Sequence, residues 1–285
     1  MIEPHFVLGI RCRDAVGIVA AVASALASAD AFITESSHYG DEETGLFFMR
    51  TVFRPTGPRF RNRADFLTAL APAAQRFDMD LALHPRAERM KVLIAVSKPG
   101  HCLNHLLHQW QSGELPIDVV GVVSNHADHQ RLVEWHGIPF HYLPMTDDKA
   151  TQEHRLFEVF ESTSAELLVL ARYMQVLSDD LCQKLAGRCI NIHHSFLPSF
   201  KGARPYHQAH ARGVKVVGAT AHYVTRDLDE GPIIEQETER VAHNQSAQSL
   251  ARIGKDIEAV VLARAVRWHA EHRVMQNGLR TVVFS

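Results

Sequence analysis

The chain has 285 residues, of which 46% are hydrophobic and 22% are charged, and its formal net charge is −2 at pH 7. This is the composition of an ordinary globular protein with enough apolar residues for buried cores, and the length predicts about two domains. The small net charge gives no reason to expect nucleic acid or an acidic membrane as a partner.

Targeting and anchoring signals are missing from the sequence. Residues 1–5 are not followed by the basic and apolar segments of a signal peptide, and no apolar run reaches the ~20 residues that span a bilayer. The four cysteines show no paired spacing, which is typical of reduced thiols. We therefore expect a soluble cytoplasmic protein.

Residues 1–85 predict a small domain in which strands and helices follow the order βαββαβ, the ferredoxin-like arrangement. The predicted strands are 5–12, 32–39, 46–53 and 79–83, and the predicted helices are 16–29 and 63–77. Residues 84–89 are charged and contain a proline, so we assign them to a linker.

The loop and helix at residues 11–20 resemble the start of an ACT domain, a ligand-sensing module. In that family an Asp-x-x-Gly turn, here Asp14 to Gly17, lets a small amino acid approach amides at a helix N-terminus, often at a dimer interface. Glycine permits the close approach, and helix N-termini attract carboxylates. The resemblance implies an amino-acid effector and a homo-oligomer. The alternative is that Asp14 caps the helix and the domain serves only in assembly.

From residue 90 onward, apolar strand patterns alternate with helical ones, which predicts a second domain over residues 90–285. This alternation is typical of an α/β fold with a doubly wound, mostly parallel sheet. The predicted strands are 90–96, 117–123, 140–143, 166–170, 188–192, 216–224, 233–240 and 279–284, and the predicted helices are 101–111, 127–136, 149–162, 178–186 and 246–273. The alternating pattern of 216–224 and 233–240 indicates an antiparallel addition.

Cofactor and metal motifs are not found. The loop at 96–104 has one glycine where a dinucleotide fingerprint needs three. Lys98 beside a helix N-terminus is either a site that attracts an anion or a solvated residue at an ordinary turn. His193 and His194 are neighbours on a predicted strand and point to opposite faces, and no HExxH motif occurs. Ser195 lacks the Gly-x-Ser-x-Gly elbow. We predict neither a cofactor nor a metal.

The stretch 188–202 contains the strongest candidates for catalytic residues. Asn191 and His193 alternate along a strand and therefore point the same way, roughly 6.5–7 Å apart, at the end of a strand in an open sheet. About thirty residues later, the run 222–232 supplies carboxylates. An amide donor, an imidazole and a carboxylate suit proton transfer with oxyanion stabilisation at a carbonyl.

Five short motifs resemble, in the same order, those of the formyltransferase-fold enzymes that use 10-formyltetrahydrofolate. They are Asn191-Ile-His193, Ser195-Phe-Leu-Pro198, Lys201-Gly202, Gly218-Ala-Thr-Ala-His222 and Asp229-Glu-Gly-Pro232. The resemblance implies that Asn191, His193 and Asp229 are catalytic, and only the motif match selects Asp229 over its acidic neighbours. We interpret His222 as a support that orients Asp229, the alternative being a structural core histidine.

The segment 170–178 is similar to the family segment whose backbone grips the pterin ring, which implies that Met174, Gln175 and Leu177 line a folate site. An ACT-like domain joined to this fold, with a His-Cys-Leu first loop in place of a Gly-rich phosphate loop, resembles the formyltetrahydrofolate deformylases. The implied reaction is hydrolysis of 10-formyltetrahydrofolate, which supplies formate for purine synthesis. The alternatives are formyl transfer to an amine, and a non-catalytic sensor that binds folate.

A mechanism is expected from these residues. Water attacks the formyl carbon, Asn191 and His193 stabilise the carbonyl oxygen, and Asp229 deprotonates the water and helps deliver a proton to N10. A carboxylate with a pKa near 4 serves as a base at neutral pH only if burial raises that pKa. The motif also demands a sharp reversal at Leu197-Pro198, which predicts a cis peptide bond there.

Overall fold

The computed structural model describes residues 4–60, 62–145, 148–198 and 205–285. The chain divides into two compact units, one formed by Met1–Arg89, Glu271–Met275 and Val282–Ser285, and the other by Met90–Ala270 and Gln276–Thr281. The first division falls at the end of the predicted linker. The C-terminal segments 271–275 and 282–285 differ from the predicted boundaries, because they belong to the first unit.

The first unit is a four-stranded antiparallel sheet with two helices, as the βαββαβ pattern predicts. Its elements are β1 (Phe6–Arg13), α1 (Ile18–Ser28), β2 (Ala31–Asp41), β3 (Leu46–Pro55), α2 (Arg63–Phe77) and β4 (Asp80–Pro85). The strand order β2-β3-β1-β4 is that of the ferredoxin-like arrangement. Both helices are amphipathic and bury apolar residues such as Leu26 and Phe66 against Phe53 of the sheet, which forms the core of this unit.

The C-terminal residues of this unit make specific contacts with its sheet. Arg50 is buried on β3 and donates to the backbone carbonyl of Glu271 at 3.1 Å and to the Glu35 carboxylate at 3.1 Å. The rings of His84 and His272 stack with their centroids 3.6 Å apart. The end of the chain therefore supplies partners for a charge that lies inside the first unit.

The second unit is built on a seven-stranded sheet in the order β11-β10-β9-β8-β5-β6-β7. Its elements are β5 (Met90–Val96), α3 (His101–Gln111), β6 (Ile117–Ser124), α4 (Gln130–Trp135), β7 (Phe140–Tyr142), α5 (Lys149–Ser162), β8 (Leu167–Leu170), α6 (Asp179–Lys184), β9 (Cys189–His193), α7 (Pro205–Arg212), β10 (Val216–Tyr223), β11 (Ile233–Arg240) and α8 (Ala247–Ala270). The five strands β5 to β9 are mutually parallel, and β10 and β11 are antiparallel additions. This confirms the predicted doubly wound, mostly parallel sheet.

Two elements differ from the sequence-based prediction. The helix α7 was not predicted, although a proline at its first position and Gly213 just beyond its end, with φ +61°, are typical helix boundaries. The predicted helix 246–273 ends at Ala270, and β12 (Val274–Asn277) and β13 (Arg280–Val283) follow as a hairpin. Gly278 has φ +63°, and an Asn-Gly pair is the strongest short signal for such a turn.

The core of the second unit fixes the strand ends from which the site is built. All four residues of β8 are buried, and four of the five residues of β9 are buried. Their apolar side chains pack against helices on the sheet faces, as expected of central parallel strands. Among the described residues, no helix combines the length and the apolar character that crossing a membrane requires.

Candidate active site

The pairing of β9 with β10 places the predicted polar residues side by side. In the antiparallel register, His222 lies opposite Asn191 and Thr220 lies opposite His193. Residues directly opposite each other on neighbouring strands have contacting side chains. Accordingly, Asn191 Nδ2 lies 3.3 Å from His222 Nε2. Asn191 and His193 both line one cavity, as their alternation along the strand predicts.

The turn after β9 is held by Thr220. Its hydroxyl donates to the Ser195 carbonyl at 2.9 Å and accepts the Leu197 amide at 3.1 Å. Gln236 donates to the Leu197 carbonyl at 3.1 Å. The peptide bond between Leu197 and Pro198 is cis, which confirms the prediction for this motif. The motif residues Lys201 and Gly202 lie outside the described residues.

Asp229 approaches His193 from the loop between β10 and β11. Its Oδ2 atom lies 3.1 Å from His193 Nδ1, and its side chain is only 12% exposed. The side chain of Asp227, by contrast, is 64% exposed. Geometry thus favours Asp229 over this acidic neighbour, on grounds independent of the motif match. Asp229 has φ +58°, a left-handed conformation that aspartate tolerates better than most residues.

The electrostatic setting of Asp229 differs from the expectation for a general base. Burial raises the pKa of the Asp229 carboxyl, but the hydrogen bond from His193 outweighs burial and holds that pKa well below its usual range. The carboxylate is therefore a weaker base than free aspartate. The structure does not supply the raised pKa that deprotonation of water by Asp229 requires.

One ring nitrogen of His193 has a hydrogen-bond partner, and the other has none among the described residues. Asp229 accepts a hydrogen bond from Nδ1, which fixes the proton of a neutral imidazole on that atom. The Nε2 atom is buried and has no hydrogen-bond partner among the described residues. A buried polar atom without a partner is costly, so a reacting group or water in the cavity is the natural partner for it. This arrangement makes Nε2 the candidate proton acceptor.

The His222 side chain is buried beside Asn191 and Asp229. Its Nδ1 atom lies 2.9 Å from the Tyr223 carbonyl, which can only accept, so Nδ1 carries a proton. Its Nε2 atom lies 3.6 Å from Asp229 Oδ1, longer than a regular hydrogen bond. His222 is therefore fixed chiefly by Asn191 and Tyr223, rather than by the predicted hydrogen bond to Asp229.

Gly231 determines how closely the Asp229 loop approaches β10. A Cβ atom at position 231 would lie 1.8 Å from the Tyr223 carbonyl oxygen and 3.3 Å from His222 Nδ1. No side chain fits at such distances. The glycine of the Asp-Glu-Gly-Pro motif is thus needed for the loop to bring Asp229 against the two histidines.

The cavity next to these residues has a volume of ≈ 320 Å³. The predicted lining residues Met174, Gln175 and Leu177 all border it, together with Leu228 and Val224. The backbone amide of Met174 is held by the Ser97 hydroxyl at 3.0 Å. An apolar wall with a few convergent polar groups at one end is typical of a small-molecule site. Asp14 and Gly17 lie in the first unit and do not border this cavity.

A buried cluster near the cavity was not foreseen from the sequence. Glu258 on α8 is 1% exposed and lies 3.3 Å from Arg172 Nε and 2.7 Å from His101 Nε2. The signal was present, because a charged residue follows Ile257 on the inward stripe of an amphipathic helix. The role of Glu258 depends on contacts with residues far away in the sequence, which the helical pattern alone does not reveal.

Among the described residues, His101, Cys102 and Glu258 have potential metal-ligating atoms within 4.8 Å of one another. The chemistry of this group does not favour a cation. Burial and the charge of Glu258 raise the pKa of the Cys102 thiol far above its usual range, and the Arg172 guanidinium already neutralises the carboxylate. The cluster is better described as a closed ion-pair network.

Comparisons with known proteins show which family the chain resembles. The formyl transferase family model matches residues 90–266. A formyltetrahydrofolate deformylase from Corynebacterium sp. (strain P-1) is 52% identical over 99% of this chain and 98% of its own length. The crystal structure of a formyltetrahydrofolate deformylase from Burkholderia mallei superposes with a TM-score of 0.93 at 52% identity, covering 99% of this chain and 100% of that one.

A more distant structure matches only part of the chain. The glycinamide ribonucleotide transformylase 1 of Symbiobacterium toebii is 27% identical with a TM-score of 0.67, and the match covers 72% of this chain and 98% of that one. The two relatives that match over nearly the full chain are thus deformylases, and the one that matches over part of the chain is a transformylase.

Proposed function

The chain belongs to the formyltetrahydrofolate deformylases, and on this premise we propose that Asn191, His193 and Asp229 carry out its reaction. The enzyme hydrolyses 10-formyltetrahydrofolate to formate and tetrahydrofolate. One observation carries the assignment of residues: His193 has Nδ1 bound by a buried carboxylate and Nε2 unpaired among the described residues, in a cavity that also contains the Asn191 amide. A base, its orienting group and an oxyanion donor thus meet at one place.

The proton transfers follow from the hydrogen bonds. Nε2 of His193 accepts a proton from water as the water oxygen attacks the formyl carbon. Asp229 holds the ring and stabilises the imidazolium that forms, which suits a carboxylate whose pKa is lowered rather than raised. The imidazolium then donates this proton to N10 as the C–N10 bond breaks. Asp229 is therefore a positioning group in this scheme, and His193 is the base.

Asn191 completes the scheme as the oxyanion donor. Its amide nitrogen carries two N–H groups, and one of them is directed at His222 Nε2 at 3.3 Å. The second is available to the carbonyl oxygen as that oxygen gains negative charge. Because His222 is held at Nδ1 by Tyr223, it fixes the orientation of the Asn191 amide. This role for His222 replaces direct support of Asp229.

The activity is tested by incubating purified protein with 10-formyltetrahydrofolate and no amine. Formate and tetrahydrofolate should appear in equal amounts. Asn191→Ala should lower kcat by roughly 10²–10³-fold, the typical loss for one oxyanion donor, and the matched variant at the exposed Asn104 of α3, Asn104→Ala, should keep the parent rate. Tetrahydrofolate that appears only after an amine is added would establish the transferase alternative instead.

We also propose that the first unit is an ACT-like domain that joins chains into a homo-oligomer and binds an amino acid near Asp14 and Gly17. Gly17 begins α1 with φ +99° and no side-chain cap, so Asp14 is not the N-cap residue, and the helix N-terminus is left open. Sedimentation of the purified protein should give a mass above that of one chain; a monomer would contradict the assembly role. Loss of amino-acid binding in Asp14→Ala would support the effector site.

The cellular role is part of the same proposal. The four cysteines are free and buried, which supports a reducing compartment such as the cytoplasm. Formate released there is available to one-carbon metabolism and hence to purine synthesis. Formate excretion by cells that lack the protein, at an unchanged rate, would argue against this role.

A further inference from the structure

Arg172 lines the cavity beside His193, the candidate base. It lines the cavity together with His193 and His194, and its guanidinium group contacts His194 Nδ1. The rings of His193 and His194 lie 5.1 Å apart. Arg172 follows β8 with φ +63°, a left-handed conformation that costs a non-glycine residue free energy. Such a backbone persists only where the surrounding structure fixes it.

Behind Arg172, the Glu258 carboxylate has a hydrogen-bond partner on each oxygen atom. Oε2 lies 2.7 Å from His101 Nε2, and Oε1 accepts the Tyr206 hydroxyl at 2.7 Å. Arg172 Nε lies 3.3 Å from Oε2 as an ion pair without a hydrogen bond. Burial raises the pKa of Glu258, but these donors and the charge of Arg172 lower it further than burial raises it, so the carboxylate stays ionised.

The packing around the cluster is as close as its hydrogen bonding. Gly254 precedes Glu258 by one turn of α8, and a Cβ atom there would lie 2.0 Å from the Tyr206 ring. The glycine therefore lets the ring lie directly on the helix and direct its hydroxyl at the carboxylate. His101 is the first residue of α3, where the helix dipole also favours a nearby negative charge. Within the described residues, the Glu258 carboxylate is thus surrounded by His101, Tyr206 and Arg172.

We propose that Arg172, held by Glu258, His101 and Tyr206, occupies the space from which an amine would approach the formyl carbon, and so restricts the reaction to water. The inference rests on the proposed function. The transformylase that shares the catalytic fold is named for a second substrate, glycinamide ribonucleotide, which is far larger than water. A side chain whose charge and both neighbours are fixed cannot move aside cheaply for such an acceptor.

The competing reaction is balanced without a further reactant. The amine nitrogen forms a bond to the formyl carbon, the bond from that carbon to N10 breaks, and the proton lost by the amine is transferred to N10. The products are a formamide and tetrahydrofolate in place of formate and tetrahydrofolate. The ratio of formamide to formate therefore measures the exclusion of amines separately from the overall rate.

The test uses the full-length protein, 10-formyltetrahydrofolate and glycinamide as the amine. Wild type should release almost only formate, which sets a low baseline ratio of formylglycinamide to formate. Arg172→Gly removes the side chain and accepts the positive φ, and it should raise the ratio of formylglycinamide to formate by roughly tenfold or more, the discrimination that one group lining a pocket supplies. Arg131→Ala, which alters an exposed arginine of α4, should keep the wild-type ratio.

A folded Arg172→Gly enzyme that hydrolyses the substrate and keeps the wild-type ratio would overturn the proposal. If this variant does not fold, His101→Ala opens the network from the other side of the carboxylate and is judged by the same ratio. Formate release by wild type without an amine tests the proposed function itself. A failure of that assay is therefore distinguishable from a failure of amine exclusion.

Discussion

Asp229→Asn is expected to abolish hydrolysis while leaving folate binding nearly unchanged. An asparagine amide can present its NH₂ group to His193 Nδ1, which moves the ring proton to Nε2 and removes the base. It also removes the negative charge that stabilises the imidazolium. Loss of a comparable carboxylate with intact geometry lowers kcat by about 10⁴-fold in a serine-protease triad, and we expect roughly 10³–10⁴-fold here. The measurement is kcat from formate release, with folate affinity from equilibrium titration.

The matched control for this variant is Asp227→Asn, because Asp227 lies two residues away and is exposed. It should retain the parent kcat. An Asp229→Asn enzyme with half of the wild-type activity would remove Asp229 from the mechanism altogether.

The wild-type protein and the Asp229→Asn variant also test whether the pKa of Asp229 is lowered. A group whose folded pKa is depressed contributes stability that is present above its unfolded pKa, about 3.9 for aspartate, and is lost as pH falls through the folded value. The difference in unfolding free energy between wild type and Asp229→Asn should therefore shrink as the pH falls below about 4. A difference that does not shrink below about pH 4 would contradict a lowered pKa.

Gly231→Ala is expected to reduce activity as severely as Asp229→Asn. The added methyl group would lie 1.8 Å from the Tyr223 carbonyl oxygen, which is backbone and cannot rotate away. The loop must therefore move outward, and a shift of about 1 Å in a positioned group costs on the order of 10²-fold in rate. Because Asp229 loses both histidine contacts at once, we expect about 10³-fold or more, measured as kcat for formate release.

The control for the glycine substitution is Gly137→Ala. Gly137 has φ +73°, and no heavy atom of the described residues lies within 4 Å of the position that an alanine methyl group would take, so alanine there adds backbone strain without a clash. It should lower the free energy of unfolding by about 1–3 kcal/mol and leave kcat unchanged. Equal losses of activity in both variants would show that strain alone, rather than displacement of Asp229, explains the effect.

Much of the fold was predictable because its elements have strong periodicity. The helices Arg63–Phe77 and Lys149–Ser162 and the strand Met90–Val96 begin and end at the predicted residues, since their apolar patterns and flanking polar residues agree. In the C-terminal hairpin, the strand at 279–284 was predicted but β12 was missed, because a helical pattern continued past Ala270. The Asn-Gly pair beyond it was the overriding signal.

The site was predictable in part. Asn191 and His193, which share a strand, both line the cavity as alternation predicts, but Ile192 and His194 line it as well. The protonation chemistry was not readable, because the pKa of Asp229 depends on the hydrogen bond from His193, whose distance only the folded chain sets. For the same reason, no local pattern indicates that Arg172 and Glu258, far apart along the chain, share one ion pair. Polar pairs between residues far apart in the sequence leave no periodic pattern by which they could be predicted.

The return of the last residues into the first unit limits how that unit can be separated. Arg50 is buried there and depends on the carbonyl of Glu271, and His84 is covered by His272. A fragment that stops at residue 89 would expose this guanidinium group and ring and lack their partners. Any transplant of the first unit onto a different enzyme would accordingly have to carry a peptide from the opposite terminus, so the two halves of this polypeptide are not freely interchangeable parts.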